Sequence, residues 1–442
     1  MLKTFSIGGV HPAENKLSAN SAIEVLAIPQ KVVIPVSQHI GAPAKVVVAK
    51  GDVIKVGQVI AQRGGFVSAN IHSSVSGTVT KIEETLDSSG YRKMAVLIDV
   101  EGDEWLDSID RTDDLVTDIT MSAEEIKQRV AEAGIVGLGG ATFPSHVKLA
   151  VPEGKKVEVL ILNGVECEPY LTSDDRLMLE KGDQIMVGIQ ILMKALNVNR
   201  AIIGVEKNKP ESIANLEKLS AKYKGIEICP LKVKYPQGGE KQLIKATINR
   251  EVPSGQLPLN VGAVVHNVGT AFAVYEAVQK NKPLFERVVT VTGKALAKPS
   301  NFKVRVGTPV RYLIEAAGGL PENTGKVING GPMMGKALNS IDVPVVKGTS
   351  GIVIMHEEQA SRRQATNCIK CAKCVSVCPM GLEPHLLSKM AIRKMHDKLE
   401  AEKVMDCMEC GSCSFECPAS IPLLDYIRLG KGRVGNIIRS RN

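Results

Sequence analysis

KVEVLILNGVECEP, residues 156–169, is a run of apolar β-formers that passes straight into an amide, two acids and a proline. Lys156 to Leu162 reads as a strand buried on both faces, because a near-continuous Val, Ile and Leu run marks a parallel strand covered by helices. The pattern continues downstream. A long amphipathic helix is expected from about Asp174 to Leu196, a strand over RAIIGVE (200–206), a helix over PESIANLEKLSAKY opened by Pro210, and a third strand over IEICPLKV. Strands alternating with helices of this length predict a layered α/β sheet. Ligands of such sheets bind at the carboxyl ends of the strands, where Asn163, Glu166 and Glu168 fall. An amide and two acids there can bond a flavin ring or a ribose. The plainer alternative is a polar surface turn with a helix cap at Asp174.

Upstream, Ser122 and Glu125 make a capping box that opens a helix, with Gly134 placed to end it. A glycine-rich loop follows, Gly137-Leu138-Gly139-Gly140-Ala141-Thr142-Phe143-Pro144. Such loops let backbone N–H groups approach a phosphate, and the N-terminus of a following helix adds partial positive charge. Lys148 falls near the same place. Alone, the run also reads as an ordinary turn.

The C-terminal part carries CIKCAKCVSVCP (368–379) and CMECGSCSFECP (407–418), two copies of C-x2-C-x2-C-x3-C-P. Three thiolates at this step reach three corners of an iron–sulfur cube, and in chains with two such runs the fourth cysteine of each closes the other cube. One [4Fe-4S] cluster is thus expected on Cys368, Cys371, Cys374 and Cys417, the other on Cys407, Cys410, Cys413 and Cys378. Zinc sites seldom need a third cysteine at the same step. Disulfides are not expected in a chain whose start, MLKTFSIGGVHPAENK, lacks the apolar stretch of a signal peptide. Cys229 reads as a buried core thiol.

Residues 29–84 look all-β, with short valine-rich stretches punctuated by Gly41, Gly51, Gly57, Gly64, Gly65 and Gly77. KGDVIKVGQVIAQ and SSVSGTVTKI resemble the two halves of a lipoyl/biotinyl-type barrel-sandwich module. RGGFVSANIH between them has no lysine to modify, which implies a structural hybrid domain. After Val288, VVTVTG, TPVRYLIEAAGG and GKVINGGPMMG form a β–α–β unit similar to the SLBB β-grasp module. EEQASRRQATN reads as a linker, and the basic end RLGKGRVGNIIRSRN as a solvated tail.

With 442 residues the chain exceeds one core. No apolar run is long enough to span a bilayer. The net charge of +8 comes without aromatic stacking residues in the basic tail or a nucleic-acid motif, so nucleic acid is not an expected partner.

The glycine loop and the Asn163–Pro169 turn together resemble the flavin- and NADH-binding subunit of respiratory complex I, with its G-R-G-G-A-G-F-P loop and N-A-D-E-G-E-P turn. Tyr235-Pro236-Gln237-Gly238-Gly239-Glu240 and Val265-His266-Asn267-Val268-Gly269-Thr270 look like two further shared segments. Leu138 replaces the loop arginine, Thr142 a glycine, Val165 the aspartate and Gly239 a glutamate. FMN phosphate binding is expected to survive these changes, which bear on the ring and nicotinamide contacts. The whole chain, from Phe5-Ser6-Ile7-Gly8-Gly9-Val10-His11-Pro12 to the twin cysteine runs, resembles the RnfC family of the Rnf electron-transport complexes. That resemblance implies a peripheral subunit on the cytoplasmic side of the cell membrane, with FMN, two [4Fe-4S] clusters and NAD(H) as substrate. Its implied partners are the other Rnf components, namely the membrane subunits and the cluster-rich RnfB protein, with ferredoxin reached indirectly.

Carried over, Gly137, Gly139, Gly140 and Lys148 would hold the FMN phosphate. Asn163, Asn267 and Thr270 would surround the flavin. Glu166, Glu168 and Glu240 would line the nicotinamide side, where Phe143 could stack. His11 is assigned a structural role at a domain junction. The expected architecture is multidomain α/β: a barrel-sandwich hybrid module (1–110), a Rossmann-like FMN/NADH domain (111–283), an SLBB-like β-grasp domain (284–356) and a helical two-cluster ferredoxin domain with a basic tail (357–442). Two other functions share parts of this pattern: a flavin and iron–sulfur cobalamin reductase of microcompartments, and an electron-transfer adaptor without flavin.

Overall fold

The computed structural model describes residues 2–441. At its centre is a four-stranded, all-parallel sheet ordered Ile226–Leu231, Ala201–Glu206, Val159–Asn163, Ala263–Asn267. Because successive side chains point to opposite faces of a strand, Leu160, Leu162, Ile203 and Val205 enter one core with the helices Gly182–Leu196 and Val268–Gln279. Val159, Ile161 and Ile202 enter a second core with Leu243 and Ile244 of the helix Glu240–Ile248. Both faces are covered, as the unbroken apolar runs require. The chain moves outward from Val159–Asn163 through two strands, then returns to place Ala263–Asn267 on the other side. The crevice at such a reversal is where open α/β sheets bind ligands.

The capping box forms as expected. Ser122 accepts the Glu125 N–H, Glu125 accepts the Ser122 N–H, and the helix Ala123–Glu132 follows. The long helix expected from Asp174 to Leu196 is instead two, Ser173–Glu180 and Gly182–Leu196. Asn215 Nδ2 donates to the carbonyls of Met178 (3.0 Å) and Leu179 (3.4 Å). It occupies the acceptors that the next turn would use, and Lys181 leaves helical geometry at φ −127°.

The N-terminal module packs a four-stranded sheet (Lys31–Pro35, Arg92–Val100, Gly77–Leu86, Val53–Ile54) against a three-stranded one (Lys45–Val46, Val59–Gln62, Ile71–His72). Val32, Ile34, Ile60, Ile71, Val96 and Ile98 lie between them. The β-grasp unit is a six-stranded mixed sheet with the helix Val310–Ala316 on it. Its edge strand, Ile23–Val25, comes from the N-terminal segment and pairs in parallel with Asn301–Lys303. Lys347, buried in this unit, donates to the carbonyls of Asn70 in the sandwich (2.8 Å) and Gly134 (2.7 Å), just ahead of the glycine loop. Three modules therefore meet behind that loop.

The basic end is a helix, Leu423–Arg441, and not a solvated tail. It packs on the helices Pro384–Ile392 and His396–Ala401, burying Leu423, Ile427 and Val434. Arg428 and Lys431 pair with Glu409, and Arg441 with Glu400, so part of the positive charge is compensated within the fold.

Candidate functional site

Asn163 and Asn267 end the two strands beside the crevice and stand in register. Asn163 Nδ2 donates to the Gly238 carbonyl at 2.8 Å. Asn267 caps the helix Val268–Gln279 by accepting the Gly269 N–H (2.8 Å), and its Nδ2 donates to Asp174 (2.7 Å) and the Asn163 carbonyl (3.2 Å). The glycine loop lies over these side chains. Gly137 closes it at the base by donating its N–H to the Phe143 carbonyl (2.9 Å). Leu138 is pinned at both ends: its N–H donates to Thr270 Oγ1 (2.9 Å), and its carbonyl accepts from Arg287 of the β-grasp sheet (3.4 Å). A Cβ on Gly139 would lie 2.6 Å from Asn267 Nδ2, whereas one on Gly140 would meet nothing within 4 Å. Among the described residues the amides of Gly139, Gly140 and Ala141 bond no protein group. Close-packed below and open above, with free amides, the loop fits a phosphate.

The helix after it, Ser145–Leu149, has five residues, so its dipole adds less than the sequence suggested. The fixed charge is Lys148, whose ammonium bonds Glu240 (2.8 Å) and the Val265 carbonyl (3.0 Å) at the same strand ends. The three acids expected on one side differ in what they do. Glu166 caps the helix Ser173–Glu180 by accepting the N–H groups of Asp174 (2.8 Å) and Asp175 (3.1 Å). Glu168 accepts the N–H groups of Met333 (3.1 Å) and Met334 (2.7 Å) in a β-grasp turn, and burial pushes it up to about 7. Glu240 alone keeps an open face. Lys16, from the N-terminal segment, ties the turn down by donating to the carbonyls of Glu166, Glu168 and Leu171 (2.7–2.9 Å).

Asp174 is a site residue that sequence reasoning took only for a helix cap. Burial, with the Glu166 carboxylate beside it, pushes it up to about 7 against 3.8 for a free aspartate. The folded chain then holds a proton that the unfolded chain releases, so this group's contribution to stability falls as pH rises from about 4 through about 7. Asp174→Asn should remove that slope. Urea midpoints measured from pH 5 to 8 should show the variant gaining on the wild type as pH rises; parallel profiles would refute the buried, protonated aspartate.

The cysteine runs fold into two similar loops, with positive φ at Lys370 and Ala372 in the first and at Glu409 and Gly411 in the second. Among the described residues no three His, Cys, Asp or Glu side chains converge as on a single ion, so the fit to clusters rests on which sulfurs neighbour one another. Burial pushes Cys413 up to about 12 and Cys407 to about 11. The sulfurs that add to the shift are Cys410 and Cys378 for both, with Cys407 also acting on Cys413. Cys374 is raised by burial with Cys417 as its neighbour. Cys378 therefore lies with the sulfurs of the second run, and Cys417 beside Cys374 of the first, an arrangement that fits two cross-ligated cubes. Cys378, Cys410 and Cys413 are buried, and Cys371 is exposed.

The second loop seats directly on the α/β domain. Tyr235 Oη donates to its Cys410 carbonyl at 2.7 Å, and Gln242 Nε2 donates to the Pro379 carbonyl, at the closing end of the first run, at 3.2 Å. Met408 packs with Tyr235 and Cys167, and its methyl lies where a Cβ on Gly239 would be (2.5 Å). The segment 235–242 thus touches Asn163 on one side and the cysteine loop on the other. Gly9 of the N-terminal segment clasps the joint by donating to the Val377 carbonyl (2.9 Å). His11 next to it is exposed and lines a cavity of about 290 Å³ with Lys16, Cys167 and Tyr235.

A glycine-loop α/β domain joined to a twin-cluster domain defines a flavin- and iron–sulfur-containing electron-transfer subunit. Residues 3–103 match the RnfC barrel sandwich hybrid domain, 130–276 the Nuo51 FMN-binding domain, 288–337 the SLBB domain and 364–421 a 4Fe-4S dicluster domain. The chain is 47% identical to the C subunit of the proton-translocating ferredoxin:NAD(+) oxidoreductase complex of Clostridium ljungdahlii, over 97% of this chain and 93% of that one. It is 45% identical to the Na(+)-translocating counterpart of Acetobacterium woodii (97% and 96%) and 40% identical to the C subunit of the ion-translocating oxidoreductase complex of Rhodobacter capsulatus (98% and 84%). The chain belongs to the RnfC family, and is an oxidoreductase subunit with FMN-binding and 4Fe-4S domains. This near full-length identity favours the Rnf reading over a cobalamin reductase. A chain of an NAD+-reducing [NiFe]-hydrogenase in the H2-reduced state shares the fold (TM-score 0.51, 19% identity, covering 72% of this chain and 63% of that one). Among the described residues no helix is long and apolar enough to cross a membrane.

Proposed function

We propose that this chain is the peripheral, cytoplasmic-side subunit of an ion-translocating ferredoxin:NAD+ oxidoreductase, where NAD(H), FMN and two [4Fe-4S] clusters exchange electrons. The observation that carries this is the segment 235–242, which contacts Asn163 at the flavin crevice and the Cys407–Cys413 loop at once. FMN, when bound, converts two-electron exchange with a nicotinamide nucleotide into the single-electron steps a cluster carries. The protein's part is to bind and order these groups. The amides of Gly139 and Gly140, with Lys148, would hold the FMN phosphate, while Gly137 braces the loop through its bond to Phe143. Asn163, Asn267 and Thr270 fix the crevice floor. Glu240 faces the nicotinamide side, whereas Glu166 and Glu168 support it by holding the turn in shape. Cys407, Cys410, Cys413 and Cys378 would hold the cluster nearer the flavin crevice, since their loop touches Tyr235 and Gly239, and Cys368, Cys371, Cys374 and Cys417 would hold the farther one. The membrane subunits and the cluster-rich RnfB protein are the proposed partners, and domain limits near 110, 283 and 356 follow the same reading.

An anaerobic NADH titration of the reconstituted chain tests this. The flavin band near 450 nm (about the usual position) and the broad cluster absorbance should bleach together. Cluster colour with no flavin and no response to NADH would instead mark a flavin-free adaptor.

A further inference from the structure

The two cysteine loops are copies of one another, yet they are docked differently: the first is held only at its closing end, through Val377 and Pro379, the second through the residues between its first two cysteines. Met408, second in the Cys407 loop, packs against Tyr235 and Gly239, and Glu409 after it is held by Arg428 and Lys431. Their counterparts are Ile369 and Lys370. Ile369 is 69% exposed, and Lys370, Cys371 and Lys373 are all exposed. The apolar knob that joins the second loop to its redox partner thus stands free on the first, beside an exposed cluster ligand.

The charge of the two loops also differs. Between Ser361 and Leu382 there is no Asp or Glu, against Arg362, Arg363, Lys370 and Lys373. Arg362 pairs with Asp425; among the described residues Arg363, Lys370 and Lys373 make no ion pair. The second loop carries Glu409 and Glu416 instead. Phe415, 51% exposed, extends the apolar surface, because the short helices Lys373–Ser376 and Ser412–Phe415 pack together. Glu383 and Glu416 are the acids flanking this patch in sequence.

We propose that Ile369, Lys370, Lys373 and Phe415 form the docking face for an acidic electron-carrier protein, which seats an apolar notch over Ile369 as the α/β domain seats Met408. One electron passes between that carrier and the Cys368–Cys371–Cys374–Cys417 cluster, and no bond is made or broken. The inference rests on the electron path proposed above. A basic rim around an apolar centre speeds encounter with an acidic partner and loses that advantage as salt rises.

The probe is an acidic 2[4Fe-4S] ferredoxin, which on this proposal meets the chain directly and not only through the RnfB protein, reduced beforehand and mixed anaerobically with the oxidised chain carrying FMN and both clusters. The wild type should oxidise it in a second-order reaction that slows steeply with ionic strength. Lys370→Glu/Lys373→Glu and, separately, Ile369→Glu should slow that reaction about tenfold or more at low salt. Lys50→Glu, an exposed lysine on the sandwich module, should leave it unchanged. NADH bleaching of the flavin should be the same in all four proteins. A wild type inert to the ferredoxin, a rate insensitive to salt, or Ile369 and Lys370/Lys373 variants matching Lys50→Glu would overturn the docking face. Failure of NADH to reduce the wild-type clusters would overturn the electron path itself.

Discussion

Replacing Cys378 with serine is expected to remove the flavin-proximal cluster, although Cys378 belongs to the first sequence run. Its sulfur neighbours Cys407, Cys410 and Cys413, and a cube that loses one thiolate of four loses its hold. Iron should fall from about eight to about four per chain, the content of one [4Fe-4S] cluster. The surviving signal should come from the more exposed site, because Cys371 lies at the surface while Cys410 and Cys413 are buried, and exposure and hydrogen bonding to sulfur set cluster potential. Cys417→Ser should give the complementary result, with the exposed cluster lost and the buried one kept. Spectra of the dithionite-reduced variants decide the matter. If each substitution destroyed the cluster of its own run, the cross-ligated assignment would fall.

The second large effect is expected at Gly139. Its missing Cβ would lie 2.6 Å from Asn267 Nδ2 and 2.9 Å from its Cγ, closer than packed atoms come. Asn267 cannot retreat freely, because it caps a helix and bonds Asp174 and Asn163. Gly139→Val must therefore lift the loop off the strand ends, at a cost of about 1–3 kcal/mol for such overpacking, or roughly ten- to hundredfold in FMN affinity. Iron content should be unchanged, since the cysteine loops rest on other segments. A variant that keeps its flavin would remove this loop from the site.

Features carried by local residue order could be read from the sequence: the cysteine spacing, the glycine loop, the apolar run into Asn163 and the Ser122 capping box. What could not be read depends on partners far away in the chain. Glu166 and Glu168 look like ligand acids in NGVECEP, yet the first meets a helix start and the second a β-grasp turn 165 residues on. Arg287, which reaches the Leu138 carbonyl, gives no signal because it stands at the head of an ordinary strand. The break at Lys181 needs Asn215, whose side chain competes for carbonyls that propensity assigns to the helix. The C-terminal residues are basic enough to suggest a solvated tail, but Gly430 packs against Ala391 and Leu399, and Glu409 pairs with both Arg428 and Lys431. Tertiary contacts overrode composition there.

The central claim is the order of the path, from NAD(H) through the flavin to the proximal and then the distal cluster. The most direct test is to mix NADH anaerobically with the Cys417→Ser and Cys378→Ser proteins, each holding one cluster and FMN, and follow that cluster by freeze-quench EPR. Prompt reduction is expected in Cys417→Ser, where the remaining cluster sits against Tyr235 and Gly239. In Cys378→Ser reduction should be slower by about a hundredfold or more, because the remaining cluster has lost its intermediate carrier. Equal rates in the two proteins, or the reverse order, would contradict it.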